Sequence, residues 1–151
     1  MKNVALLAAC LWITVFASAQ TSNESARSAI EQVLGRQQDA WNRHDLEGFM
    51  AGYWNSPDLT FFSGAQESKG WQATLDRYRA TYSGPGREMG KLDFSDLRVE
   101  VLGADAAFVR GVWHLTLTTP GGKTPHGRFT LVFRRFPEGW KIIHDHTSAA
   151  D

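Results

Sequence analysis

The chain has 151 residues, a formal net charge of zero from 16 basic and 16 acidic side chains, and an aromatic content of 12%. A chain of this length typically forms one domain, and its aromatic side chains provide enough apolar area for a packed core. Nucleic-acid-binding proteins carry a basic excess, which this chain lacks, and no run of basic residues indicates a membrane-surface patch.

The first 19 residues have the pattern of a secretory signal peptide. Lys2 forms a short basic region, residues 4–16 are almost entirely apolar, and Ala17-Ser18-Ala19 matches an A-x-A cleavage site. The apolar run, about 13 residues long, is shorter than the roughly 20 residues that span a bilayer. We therefore predict a protein cleaved after Ala19 and then secreted or periplasmic. An N-terminal core helix is the alternative, which the lack of an amphipathic pattern disfavours.

Cys10 allows a different processing. The segment from Leu7 to Cys10 resembles a bacterial lipoprotein cleavage box, but cleavage there would leave an exposed apolar tail over residues 11–16. Cleavage after Ala19 is therefore favoured, and it removes the one cysteine. The mature chain then has no disulfide and no thiolate chemistry.

The predicted domain covers residues 25–149, after a polar leader at residues 20–24. Helical periodicity predicts three helices at 24–43, 46–54 and 68–82, with Asp45 capping the second. A short strand is predicted at 59–63. The period then changes to two, which predicts four long strands at 91–102, 106–118, 124–136 and 140–148.

This order predicts an α+β fold in which helices cover one face of a curved antiparallel sheet. Gly103, Gly111 and Gly127 allow the long strands to bend. A bent sheet under helices encloses a cavity, so we predict one pocket between the two layers.

Two strand registers follow from matching apolar faces. Pairing Trp113 with Phe129 centres the turn between strands 106–118 and 124–136 on Gly121, and the residues there favour a turn. For the last hairpin, a turn over residues 137–139 pairs Leu131 with Asp145 and places Ile143, Asp145 and Thr147 on the apolar face. A one-residue bulge would instead place Trp140, Ile142, His144 and His146 there. The residue types do not distinguish these alternatives.

Residues 40–50, AWNRHDLEGFM, resemble the "AWN-x-x-D-x-x-x-F" helix pair of NTF2-like domains of the SnoaL and DUF4440 type. Residues 129–135 and 139–148 resemble the closing hairpin of that group. The resemblance covers residues 25–149 approximately. It implies a cone with three helices packed on the concave face of the sheet, a pocket on that face, and dimerisation through the sheet.

The last strand is also similar to that of the association domain of calmodulin-dependent kinase II. This resemblance implies that Trp113, Leu131 and Thr147 face the pocket, with Asp145 inward and His144 and His146 outward. The kinase domain has arginines at those first three positions. Because Trp, Leu and Thr replace them here, an anionic ligand like that of the kinase domain is not expected.

Asp145 is the candidate acid or base, because burial against aromatic walls raises the pKa of a carboxyl group. The alternative is a structural role, with Asp145 bonded to a Tyr, a Trp N–H or a backbone amide. Tyr53 and Tyr78 also occupy ordinary helix-core positions. The predicted ligand-binding residues are Phe49, Tyr53, Trp71, Tyr78, Trp113, Phe129, Leu131 and Thr147.

The opposite face of the sheet collects histidines and arginines. A multi-histidine face can bind a metal, but no carboxylate partner is evident and the arginines would repel a cation. We therefore predict no metal site and no cofactor. A polar homodimer interface is the favoured interpretation, formed by Arg110, His114, Arg128, His144 and His146.

Three functions remain open at this level. The first is an exported protein that binds a small, largely apolar molecule, with Asp145 as its polar anchor. The second is a cofactor-free isomerase or cyclase that uses Asp145 as acid or base. The third is a dimeric assembly domain without chemistry. Glycine-rich nucleotide loops and the G-x-S-x-G and H-E-x-x-H motifs are absent from the sequence.

Overall fold

The computed structural model describes residues 4–118 and 124–150, and for residues 4–19 it describes the backbone alone. The helices are α1 (Val4–Asn42), α2 (Leu46–Met50) and α3 (Trp71–Tyr82). The strands are β1 (Thr60–Ser63), β2 (Gln66–Lys69), β3 (Lys91–Val101), β4 (Ala106–Thr116), β5 (His126–Phe136) and β6 (Gly139–Ala149). The predicted α+β class is confirmed, with the long strands ending within two residues of their predicted bounds.

The six strands form one sheet in the order β2-β1-β6-β5-β4-β3. The four long strands are antiparallel as predicted, whereas β1 runs parallel to β6. Strand β2 is not predicted by the sequence, because its exposed polar residues show no apolar alternation. Because β2 takes up residues 66–69, the third helix begins at Trp71 rather than at residue 68. Gly70 lies between the two elements and has a positive φ of 93°.

Helix α1 ends where the sequence predicts, but it begins at Val4 instead of near residue 24. The predicted signal peptide falls largely on residues whose side chains are outside the described part, so export and the role of Cys10 stay predictions. In the part of the chain that is described, no helix is both long and apolar enough to cross a membrane.

The end of α1 is fastened to the free edge of β3. The Asn42 side chain accepts from the Leu92 N–H at 2.7 Å and donates to the Leu92 carbonyl at 3.0 Å. The Trp41 indole donates to the Met89 carbonyl at 3.2 Å. An edge strand leaves backbone groups unpaired, and these side chains satisfy them. Asp45 then caps α2 by accepting from the Gly48 N–H at 2.8 Å, as predicted.

The register of β4 and β5 differs from the predicted one by two residues. Trp113 pairs with Gly127, and Phe129 pairs with Gly111. The predicted pairing of Trp113 with Phe129 is therefore wrong, although an even shift keeps both rings on the same face. Each ring lies over the glycine opposite it, where an added Cβ would meet the ring. Pairing a large residue with a small one fills the face evenly. The turn predicted around Gly121 lies outside the described residues.

The last hairpin combines the two predicted alternatives. A bulge between β5 and β6 leaves Ile143 between the pairs Phe133–Ile142 and Val132–His144. Before the bulge, Trp140 and Ile142 are buried in the core. After it, the alternation is reversed, so Asp145 faces inward opposite Leu131 while His144 and His146 face outward.

Candidate functional site

A cavity of about 240 Å³ lies between the concave face of the sheet and the three helices. The strands contribute Trp113, Leu115, Phe129, Leu131, Asp145 and Thr147 to its lining. The helices contribute Leu34, Gln37, Trp41, Phe49, Arg77, Tyr78 and Tyr82. Most of these side chains are apolar or aromatic, as in small-molecule binding sites generally.

Asp145 is the one acidic side chain among the described lining residues, and it is only 5% exposed. Its Oδ2 accepts a hydrogen bond from the Tyr53 hydroxyl at 2.7 Å. Its Oδ1 is buried and has no hydrogen-bond partner among the described residues. One oxygen is thus held in place by Tyr53, and the other keeps an unused capacity to accept a hydrogen bond.

Tyr53 reaches Asp145 because the segment after α2 joins the sheet. Trp54 N–H donates to the Ile142 carbonyl at 2.9 Å, and Ile142 N–H donates to the Gly52 carbonyl at 3.0 Å. These two bonds fix Tyr53 beside β6, so that its side chain enters the cavity. The second predicted helix, 46–54, is therefore shorter than expected, and its last residues extend the sheet instead.

Burial shifts the acidity of this group in the direction predicted from the sequence. Desolvation raises the pKa of Asp145 from 3.8 to about 7, and the hydrogen bond from Tyr53 opposes part of that rise. Burial, followed by the charge of Asp145, raises the pKa of Tyr53 well above 10. Near neutral pH the carboxyl group is thus present in both forms, whereas the tyrosine remains a hydrogen-bond donor.

Aromatic rings from the helices form the wall opposite the sheet. Trp41 contacts the rings of Phe49 and Tyr82 edge to face, with centroids 5.2 and 4.8 Å apart. Tyr78 contacts Phe49 edge to face at 5.2 Å, and it contacts Phe61 of β1 in a tilted arrangement at 5.5 Å. Such edge-to-face pairs favour one arrangement of the rings, so this wall is shaped before any ligand arrives.

Seven of the eight residues predicted to bind ligand line the cavity together with Asp145. Trp71 is not among the lining residues, so the structure does not bring it together with the other predicted ligand-binding residues. Its indole donates to the Met50 carbonyl at 2.9 Å, which ties the start of α3 to the end of α2. Trp71 lies about two turns before Tyr78 on the helix, about 10 Å away along its axis, and so lies beyond the cavity.

Twelve of the described lining residues are not predicted as site residues by the sequence, and Trp41, Phe61, Arg77 and Tyr82 are among them. Tyr82 shares the apolar stripe of α3 with Tyr78, and Trp41 belongs to the AWN motif, so both carried a usable signal. Arg77 carried none. Its guanidinium lies over the Phe61 ring, 5.3 Å from the centroid, and donates to Gln66 at 2.9 Å.

The predicted dimer face is the outer surface of the sheet. His114 and His126 are directly paired there, with parallel rings 5.7 Å apart. His144 bonds the Thr60 hydroxyl through Nδ1 at 2.6 Å. Burial, followed by the neighbouring His146, lowers the pKa of His144 below 6.5.

Comparisons with known proteins identify the group to which this architecture belongs. A family model described as a SnoaL-like domain matches residues 30–151. An NTF2-like protein of unknown function from Shewanella oneidensis is 35% identical, with a TM-score of 0.73 over 81% of this chain and 98% of that one. An NTF2-like protein from Pseudomonas putida is 25% identical, with a TM-score of 0.71 over 84% and 88%.

A ketosteroid isomerase-like protein from Erwinia carotovora shares the fold at 20% identity, with a TM-score of 0.66 over 82% of this chain and 95% of that one. Among curated proteins, none matches this chain. The resemblance predicted from residues 40–50 and from the closing hairpin is thus confirmed, and the chain belongs to the SnoaL-like family of NTF2-like domains.

Proposed function

We propose that this chain binds a small, largely apolar molecule in the cavity, with Asp145 as the polar anchor. The observation that carries the proposal is the unpartnered, buried Oδ1 of Asp145 at an aromatic-lined cavity. Leaving a buried polar atom without a partner costs about 1–3 kcal/mol, which a ligand hydroxyl would recover on binding. Most buried side-chain polar atoms have a hydrogen-bond partner, so this oxygen calls for an explanation.

The size of the cavity limits the ligand. An apolar cavity of about 150 Å³ holds benzene, and typical ligand pockets measure about 300–1,000 Å³. A volume of about 240 Å³ therefore suits a molecule of one or two fused rings. Such a ligand would be held mainly by the burial of its apolar surface against the aromatic walls, with Asp145 fixing its orientation.

Titration with 2-naphthol, a two-ring probe with one hydroxyl, tests this proposal. Thr81 lines the cavity and is exposed on α3, so Thr81→Trp should obstruct the entrance. Ala80 is equally exposed on the same helix but lies outside the lining, so Ala80→Trp is the matched control. Calorimetry should show binding to the wild type and to the control, and at least a tenfold loss in Thr81→Trp. Binding of equal strength to all three proteins would reject the cavity as the site.

Proton transfer is a second candidate function, supported by the pKa of about 7 at Asp145. A general base acts best when its pKa lies near the working pH. The carboxylate would take a proton from the carbon beside a ketone, giving an enolate and a protonated Asp145, which would then return a proton to that carbon. In D₂O, 2-tetralone should therefore exchange its hydrogen at that carbon faster with the wild type than with Asp145→Asn. Equal rates would reject the enzyme and leave the binding proposal intact.

Dimerisation through the outer sheet face is a further proposal. Phe108, Val112 and Val132 give this face a half-buried apolar centre, and Arg110, His114, Arg128, His144 and His146 surround it. Burial of His144 in a dimer would favour its neutral form, so the dimer should weaken as the pH falls from 8 to 5. Light scattering across that range tests this, and a mass that does not change with pH contradicts the histidine contribution. Arg128→Glu should separate the subunits, and a chain that stays dimeric would reject this face.

Export is proposed on the leader pattern of the first 19 residues. Intact mass measurement of the protein recovered from its host distinguishes the outcomes. A chain that begins at Gln20 supports cleavage after Ala19, and a lipid-modified Cys10 supports the lipoprotein alternative. An uncleaved chain would reject both.

A further inference from the structure

The cavity holds a second polar atom without a partner. Trp113 lines the cavity, and its Nε1–H is buried with no hydrogen-bond acceptor among residues 4–118 and 124–150. By contrast, the indoles of Trp41 and Trp71 each donate to a backbone carbonyl, at 3.2 and 2.9 Å. Buried N–H groups without partners are rare in native proteins, and each one calls for an explanation. The position of Trp113 in a cavity supplies one, because a ligand can accept the bond.

The strand opposite provides space for this indole. A Cβ added to Gly127 would lie 2.8 Å from Cε2 of Trp113, the ring carbon bonded to Nε1. The N–H edge of the ring therefore lies over β5, at a pairing position where the facing residue has no side chain. A side chain at Gly127 would meet the Ser148 carbonyl oxygen as well as the indole, so both the backbone and the ring require glycine here. Gly127 and Trp113 thus act together to place a hydrogen-bond donor on the concave face.

The two residues that carry the unpartnered atoms lie at separate positions on the concave face of the sheet. Trp113 pairs with Gly127, which pairs with Ala149 on β6, whereas Asp145 is four residues earlier on that strand. At about 3.3 Å per residue and 4.8 Å per strand, their Cα atoms are about 13 Å apart along the sheet and 10 Å across it. Phe129 and Leu131 line the surface between them. This separation of the two residues suits a two-ring molecule with a polar group at each end.

The chemistry of each atom selects its partner. An indole N–H only donates, so the group at Trp113 must be an acceptor such as a carbonyl oxygen. A carboxyl group can accept from or donate to a hydroxyl, so an alcohol, phenol or enol suits Asp145. Arg77 also lines the cavity, which disfavours a cationic ligand. We propose that the ligand is a neutral, flat hydroxyketone whose carbonyl oxygen accepts from Trp113 and whose hydroxyl binds Asp145.

This inference rests on the proposed binding function, and three two-ring probes separate the two. They are 2-naphthol, with a hydroxyl only, 2-acetylnaphthalene, with a carbonyl only, and 6-acetyl-2-naphthol, with both groups at opposite ends. The wild type should bind 6-acetyl-2-naphthol about five- to tenfold more tightly than either single-function probe, as expected for one added hydrogen bond. No variant is needed for this comparison, so it does not depend on the folding of a mutant.

Trp113→Phe then removes the donor and keeps an aromatic ring. All three probes should lose some affinity because the ring is smaller, but the advantage of 6-acetyl-2-naphthol over 2-naphthol should fall to nearly one. An advantage that survives the substitution, or that is absent in the wild type, would overturn the assignment of Trp113. Tighter binding of 2-naphthylmethylammonium than of 2-naphthol would overturn the neutral ligand class. If no probe binds at all, the proposed function itself fails.

Discussion

Replacing Asp145 with asparagine should change how the stability of the protein depends on pH. The native carboxyl group has a pKa of about 7 in place of 3.8, because its burial disfavours the charge. Between these two pH values, the native state keeps the proton that the unfolded chain has lost. The free energy of unfolding therefore falls as the pH rises through this window and becomes level above about pH 7.

The size of the effect follows from the two pKa values. Their difference corresponds to about 4 kcal/mol at 1.36 kcal/mol for each pH unit. Asp145→Asn has the same shape, can still accept from the Tyr53 hydroxyl and does not ionise. The stability of the variant relative to the wild type should thus increase by about 4 kcal/mol between pH 4 and pH 7.5.

Urea unfolding of both proteins at half-unit steps from pH 4 to pH 8 measures this difference. Other titrating groups are common to the two proteins, so they cancel in the subtraction. Asp39→Asn, at an exposed position of α1, is the matched control for the loss of a carboxylate. A difference between Asp145→Asn and wild type that stays constant with pH would refute the argument that Asp145 is desolvated.

Three further predictions test the surroundings of the site. Tyr53→Phe removes a hydrogen bond to the carboxylate of Asp145, so the pKa of Asp145 should rise by about one to two pH units. An NMR titration of the carboxyl carbon measures this pKa, and an unchanged value would contradict the prediction. Asn42→Ala should lower the free energy of unfolding by about 2 kcal/mol, because two β3 backbone groups lose their hydrogen-bond partner. A loss of roughly 0.5 kcal/mol or less, which is typical of surface substitutions, would show that Asn42 does not stabilise this edge. Gly127→Ala should lower the free energy of unfolding by about 3 kcal/mol or more, because the new Cβ meets both the backbone of β6 and the indole of Trp113. The control, Gly35→Ala, adds a Cβ in open space on α1 and should be neutral or stabilising in the same unfolding assay. Equal effects of the two glycine substitutions would be inconsistent with the register described.

The sequence predicted the elements that bury a regular stripe and missed those that do not. The long strands were recognisable from alternation, and α3 from the spacing of Leu75 and Tyr78. Strand β2 was not, because its polar residues pair with β1 without burying an apolar face. Likewise, the segment after α2 has helical spacing, but hydrogen bonds to Ile142 hold it against the sheet. Such competition between local pattern and tertiary pairing is invisible to periodicity.

The candidate site depended on register, and register is where the sequence was least informative. Matching like with like paired Trp113 with Phe129, whereas the sheet pairs each ring with a glycine. The repeated pattern Gly-x-aromatic, at 111–113 and again at 127–129, is the signal that could have given the correct pairing. For the last strand, no residue type predicts the bulge at Ile143. Only the resemblance to known domains placed Asp145 inward before the structure did.

The central claim is that the cavity, and no other surface, receives a small apolar molecule. Methyl NMR during titration with 2-naphthol tests it most directly, because leucines lie both in the cavity and on the exposed surface. Leu115 and Leu131 line the cavity, whereas Leu102 is 62% exposed and lies outside it. We predict saturable shifts at Leu115 and Leu131, none at Leu102, and their loss in Thr81→Trp. Shifts confined to Leu102, or unchanged in Thr81→Trp, would contradict the claim.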